Sequence, residues 1–246
     1  MIRELLDGLV STEKLIEQMG NGNNRQALKA VRKLRERKCF QDGTMIGVDL
    51  RGAQLANVLL ATAILENATL QEADLSAAYL GVASLRAANL RQANLHRANL
   101  RWIHMHEADM TRAVLHEVHL ARAQMQAVTL ERADLQGANL WNADLHRANL
   151  RNASFRGANI IRANLAEADL DGAEFDGCTI LPDGSLWTAN TDMTRFRDPH
   201  HPDFWRSPDP YAASFQGGTP IYNGRRWRHY DPHDPASIAV WRQRYG

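Results

Sequence analysis

From Met45 to Ile180 every fifth residue is large and apolar, with no insertion: 20 Leu, 4 Met, 2 Phe and 2 Ile at 28 positions. Two residues before each lies a small or compact residue, Ala in 21 cases. Between the pair stands Asn or Asp in 13 cases, as in Ala93-Asn94-Leu95. A period of five suits neither standard element. Five residues of α-helix turn a side chain by about 140°, which winds the leucines around the axis. In a flat strand an odd spacing alternates faces and leaves half the leucines in water. Both apolar positions are satisfied if the chain turns a corner every fifth residue, with these two inward and the other three outward. Four corners close a square coil. The pattern therefore predicts an all-β solenoid, a quadrilateral β-helix of about seven coils of 20 residues stacked at about 4.8 Å.

The runs Ala88-Asn89-Leu90, Ala98-Asn99-Leu100, Ala143-Asp144-Leu145 and Ala168-Asp169-Leu170 resemble the pentapeptide-repeat motif, an Ala, then Asp or Asn, then Leu or Phe, then two variable residues. The resemblance covers residues 41–180 and implies the right-handed hand of that family's β-helix. The block contains no proline, as expected where backbone N–H groups bond the next coil. A stacked repeat of this kind needs a cover at each end.

Composition shifts near residues 40 and 181 divide the chain in three. Residues 1–40, with nine basic and five acidic side chains, predict a helical N-terminal cap. Ser11 or Thr12 can start a helix carrying Leu15, Ile16 and Met19. Gly20-Asn21-Gly22-Asn23 breaks it, and Asn24 can cap a second helix with Ala27, Leu28, Val31 and Leu34 on one face. The hairpin from Leu15 to Leu34 resembles a single HEAT repeat. Residues 41–180 form the β-helix. Residues 181–246 hold all eight prolines and 11 of the 17 aromatic residues. They predict a Pro/aromatic-rich tail that turns off the last coil at Leu181-Pro182-Asp183-Gly184. It lies over the rod or its end, and a short terminal helix begins at Asp234-Pro235. Ile238, Trp241 and Tyr245 share one side of that helix, a docking or dimer stripe.

Positions 20 apart should stack into columns. The column of outward pairs beside Leu60, Leu80, Leu100, Leu120, Leu140, Ile160 and Ile180 carries Val82, Arg101, Trp102, Arg122, Trp141, Ile161 and Arg162. Arg101, Trp102, Arg122, Trp141, Ile161 and Arg162 are the candidate partner face or tail-docking face. Six histidines cluster mid-rod at 96, 104, 106, 116, 119 and 146. His96 and His116 fall in one column, but no carboxylate or cysteine completes a metal set, and exposed polar positions are the expectation. Cys178 occupies an inward Ala-type position and reads as a packed thiol.

With 29 basic and 28 acidic residues, neither nucleic acid nor an acidic mimic is the default. The basic stretch Arg25–Lys38 reads as a solvated helix face. Two distant cysteines, Cys39 and Cys178, suggest reduced thiols and a cytoplasmic protein. No apolar run reaches the roughly 18 residues that span a bilayer, and the N-terminus lacks the apolar stretch of a secretory signal. No phosphate loop or nucleophile elbow is present, and the carboxylates spread over a convex surface. The sequence therefore points to a non-enzymatic protein–protein interaction scaffold without cofactor or metal. Its partner would be an unidentified protein or, through the tail, a second copy. The alternative reading is a DNA mimic that binds or protects DNA gyrase or topoisomerase, as some relatives of this motif do. It conflicts with the arginines from Arg86 to Arg162, although five acids crowd Glu167–Asp176.

Overall fold

The computed structural model describes residues 10–209, Ala212, and the backbone of two short strands. The first element, α1 (Thr12–Asn21), is capped by Ser11, whose hydroxyl accepts the Lys14 N–H at 3.1 Å. The second, α2 (Asn24–Glu36), starts from Asn23 and not from Asn24 as the sequence suggested. Asn23 and Gln26 exchange side-chain bonds with each other's backbone N–H, a reciprocal cap. Asn24 is thereby released to donate to the carbonyls of Gln54 and Ala56 on the adjoining coil. Leu15, Met19, Ala27, Ala30, Val31 and Leu34 enter the same core as Met45 and Leu50. This helix pair thus covers apolar surface at the rod's start.

From Asp49 to Asn149 every bridge joins residue n to residue n+20 in parallel. This is the square coil that the pentads predicted. The backbone bonds account for each pentad's composition. Leu100 donates to His119 O (2.8 Å), Asn99 to Ala78 O (2.8 Å) and Trp102 to Ala121 O (3.1 Å), all in neighbouring coils, while Ile103 closes the corner on Leu100 O (3.3 Å). The remaining N–H, that of Arg101, meets the Asn99 side chain at 3.2 Å. All 13 Asn and Asp residues at this position accept the N–H two residues on. The motif's polar residue thus satisfies the one donor that the coils leave over.

The corner also fixes a conformation. From Gly47 to Gly172 its second residue has φ between 51° and 69°, the left-handed region, while the residue before it does not. That combination marks a type II turn. Gly fills just five of these sites; the others include the β-branched Thr62 and Val82.

The repeat slips by one residue at its end. Asn159 pairs with Ile180 and not with residue 179. An extra residue at Asp176–Cys178 turns Thr179 and Leu181 inward, both buried, while Ile180 takes the ladder position. Three sequence readings change with this. Ile180 is not an inward residue, Leu181 is not outward, and Cys178 is an exposed thiol, not a packed one. Thr179 Oγ1 donates to Phe155 O at 2.9 Å, and Asp176 accepts the N–H groups of Gly157 and Cys178. These bonds reward the slip at the cost of one apolar centre.

Beyond it the chain turns at Leu181-Pro182-Asp183-Gly184, where Gly184 N–H bonds Leu181 O at 2.9 Å. Ile180 and Leu186 then pair antiparallel. Trp187 stacks on Phe175 (6.3 Å), which stacks on Phe155 (5.4 Å). A short helix, α3 (Thr194–Arg197), inserts Phe196 into the common core, and Arg197 O accepts the Glu167 N–H at 2.7 Å. The tail up to Trp205 therefore meets the open edge of the last coil. Further on, β1 (Ile221–Tyr222) and β2 (Arg225–Arg226) pair antiparallel. The expected terminal helix with Ile238, Trp241 and Tyr245 lies outside the described residues.

Candidate interaction surface

Stacked corners place Trp102, Arg122, Asn142 and Arg162 one above another. The Arg122 guanidinium lies between two indoles, 4.4 Å from the Trp102 ring and 4.9 Å from that of Trp141. Arg162 lies 5.9 Å from Trp141 on the far side. Alternation of cations with aromatic faces stiffens these long side chains. The candidate residues are thus brought together: Trp102, Arg122, Trp141, Ile161 and Arg162 are half-buried, with Arg101 exposed beside them. Arg162 Nη1 also pairs with Asp209 Oδ2 at 2.5 Å, which ties the tail to this column.

The sequence places Val82 in an outward column and the six histidines at exposed positions; Val82 and His104 are instead buried, while His119 is exposed and His96, His106, His116 and His146 are half-buried. Val82, Ser84, His104, Ala121, Gln124 and Asn142 are each between 1% and 6% exposed, although all point outward. They form one strip along the corner between the Leu80–Leu140 column and the Leu85–Leu145 column. Polar outward side chains carry no sequence signal for such burial. In the next coil the same column continues with the half-buried Asp144, whose carboxylate accepts from Gln126 Nε2 (2.5 Å), Asn164 Nδ2 (3.0 Å) and the His146 N–H (3.2 Å). Burial pushes its carboxyl above the ordinary carboxylate range in spite of these donors.

The other faces are lattices of axial ion pairs. Arg91 reaches Asp109 (3.0 Å), Arg97 reaches Glu117 (2.6 Å) and Arg147 reaches Glu167 (2.7 Å), each on the following coil. Arg151 holds both Asp169 (3.2 Å) and Asp171 (2.5 Å), and Arg156 meets Glu174 (3.3 Å). The hydrogen bond from Arg97 keeps the Glu117 carboxyl below its usual range, and Arg147 does the same for Glu167. The imidazoles of His96 and His116 stack face to face at 5.4 Å. Among the described residues no group of three metal-ligating side chains converges.

A family model for pentapeptide repeats matches in eight copies, over residues 45–81, 83–120, 93–132, 130–165 and 143–180. The chain belongs to the pentapeptide-repeat family. The β-solenoid architecture is that of this family. Among solved structures, the chain is similar to a pentapeptide-repeat protein (Rfr23) from the cyanobacterium Cyanothece 51142. Identity is 42%, over 39% of this chain and 62% of that one, with a TM-score of 0.27. The matched part is therefore under two-thirds of that relative's length. A pentapeptide-repeat protein of the Arabidopsis thaliana thylakoid lumen is 24% identical over 46% of this chain and 69% of its own, with a TM-score of 0.29. QnrB1, a plasmid-mediated fluoroquinolone resistance protein, is 16% identical over 57% and 80%, with a TM-score of 0.26. No curated protein matches the chain. No helix among the described residues of this pentapeptide-repeat protein is long and apolar enough to cross a membrane.

Proposed function

We infer that this pentapeptide-repeat protein is a non-enzymatic scaffold. A rod of about seven coils, covered by the helix pair at one end and the tail at the other, presents fixed side-chain columns to a protein partner in the cytoplasm. The observation that carries this reading is the Trp102–Arg122–Trp141–Arg162 stack. It sets aromatic and arginine anchors in a rigid line, the residue types that dominate binding energy at interfaces. Side chains already ordered by stacking lose little entropy on binding.

The full-length protein, with Trp102→Ala and Trp141→Ala as controls, tests this by affinity capture followed by titration of the captured protein. A partner whose binding weakens by about tenfold or more with either change supports the reading. A partner bound equally by all three proteins removes this face from it.

The DNA-mimic alternative needs an uncompensated acidic column along the rod. Glu167, Asp169, Asp171 and Glu174 are each paired with an arginine of the preceding coil. This neutralisation favours the scaffold reading. A supercoiling assay with DNA gyrase should accordingly show neither inhibition nor protection; either effect would restore the alternative.

A further inference from the structure

The cations of this chain are not evenly compensated. Along the rod, eight of the twelve arginines from Arg51 to Arg162 sit in ion pairs with Asp or Glu, and Arg122 lies between two indoles. The cap is different. Residues 24–38 carry seven cations against one carboxylate, Glu36. Arg25, Lys29, Arg32, Arg35 and Lys38 are exposed. Among the described residues only Arg32 of these five has an ion pair, with Glu36 Oε1 at 3.2 Å. The near-neutral total of the chain therefore conceals a positive surface at the rod's start.

Helix α2 holds these charges in a fixed row. Its inner face, Ala27, Ala30, Val31 and Leu34, is buried in the common core, and Asn24 pins its first turn to the carbonyls of Gln54 and Ala56. Arg25, Lys29 and Arg32 follow at steps of four and three residues and share the outer stripe, with Arg35 and Lys38 at its C-terminal end. At a rise of about 1.5 Å per residue, Arg25 and Arg35 stand about 15 Å apart along the axis. A duplex presents a charge for about every 1.7 Å of its length, so a row of this extent meets phosphates throughout, whereas an acidic protein would need carboxylates at each matching place. A membrane takes up an amphipathic helix by its apolar face, and that of α2 is already in the core. Single strands are held by stacking on aromatic side chains, and residues 24–38 contain none.

We propose that the outer face of α2 docks on the phosphate backbone of duplex DNA, with Arg25, Lys29, Arg35 and Lys38 as its contacts. This reverses the solvated-face reading of Arg25–Lys38. Because α2 lies against the first coil, its outer side chains reach phosphates without the helix entering a groove, and the contact is blind to sequence. The site goes beyond the scaffold reading and does not depend on it: it lies on the cap, whereas the Trp102–Arg162 column runs along the side of the rod.

The test is fluorescence anisotropy of a short labelled DNA duplex titrated with the full chain. Four phosphate contacts predict a slope of about −3.6 for log affinity against log salt, which makes binding about 150-fold weaker at 200 mM than at 50 mM salt. Arg25→Ala/Lys29→Ala/Arg35→Ala removes three contacts at exposed sites where alanine is the better helix former. It should weaken binding at least about tenfold and flatten the slope to about −1. Arg86→Ala/Arg101→Ala/Arg112→Ala takes the same charge from exposed arginines of the rod that have no ion pair among the described residues, and should leave affinity and slope unchanged. No anisotropy change at low salt overturns the proposal. So does an equal loss in both triple variants, which would make net charge the cause. Tighter binding at equal salt to one strand of the same duplex, or to vesicles containing phosphatidylserine, overturns it as well.

Discussion

Replacing alanine by glycine in regular structure normally destabilises a protein by about 0.5–1 kcal/mol. At three corners of this rod the sign should reverse. Ala77, Ala87 and Ala127 are exposed and hold φ of 51°, 51° and 54°. In the left-handed region a Cβ costs about 1–2 kcal/mol. Glycine removes that cost and returns about 0.4–1 kcal/mol of extra entropy to the unfolded chain. The net gain is about 0.5–1 kcal/mol at each site. The three sites share no contacts, so the triple variant should gain about 1.5–3 kcal/mol. Equilibrium unfolding in guanidinium chloride reads this as a higher midpoint with an unchanged slope. A triple variant less stable than its parent would refute the claim that the corners, and not the faces, hold the strained backbone.

Truncation within the tube should be costly. Leu100 is wholly buried between fixed ladders that cannot collapse, so Leu100→Ala is expected to lose about 4–5 kcal/mol, against about 2–3 kcal/mol for Leu170→Ala near the more open end; equal losses in denaturant titrations would count against this. In the native protein one thiol, Cys178, should react rapidly with Ellman's reagent and Cys39 only after unfolding; no fast thiol would put residue 178 back inside. Asp144→Asn should stabilise the protein at neutral pH, because the Asn oxygen still accepts from His146 N–H and Asn164, the Gln126 amide can turn so that its oxygen accepts from the new Nδ2, and no charge is left to bury. A carboxyl whose folded pKa is raised loses stability as pH rises from its unfolded value, about 3.9, through the folded one. The advantage of Asn should therefore vanish below about pH 4, and thermal melts that show the same difference at pH 3 and pH 7 would contradict it.

The rod itself was legible because its signal repeats: a single wrong reading of one Leu cannot move 28 of them. The slip at its end was not, because Ile180 keeps the apolar period while the bonds of Asp176 and Thr179 move the register. Both Asn23 and Asn24 suit a helix start, and only the carbonyls of Gln54 and Ala56 decide which of them caps. The column from Trp102 to Arg162 followed from spacing alone, and the structure adds the alternation of guanidinium and indole. Burial of Ser84, His104 and Gln124 was out of reach, since their pentads look like any exposed ones.

The one-residue slip bears on how such a tube avoids endless growth. A regular ladder offers its last edge as a template on which the first coil of another molecule could continue. Here the final turn is out of phase with that lattice, a hydroxyl stands where the next methyl would nest, and Leu186 runs against the grain. An incoming chain would meet no matching steps at this edge, so the slip itself removes the regular template on which a second rod could be continued.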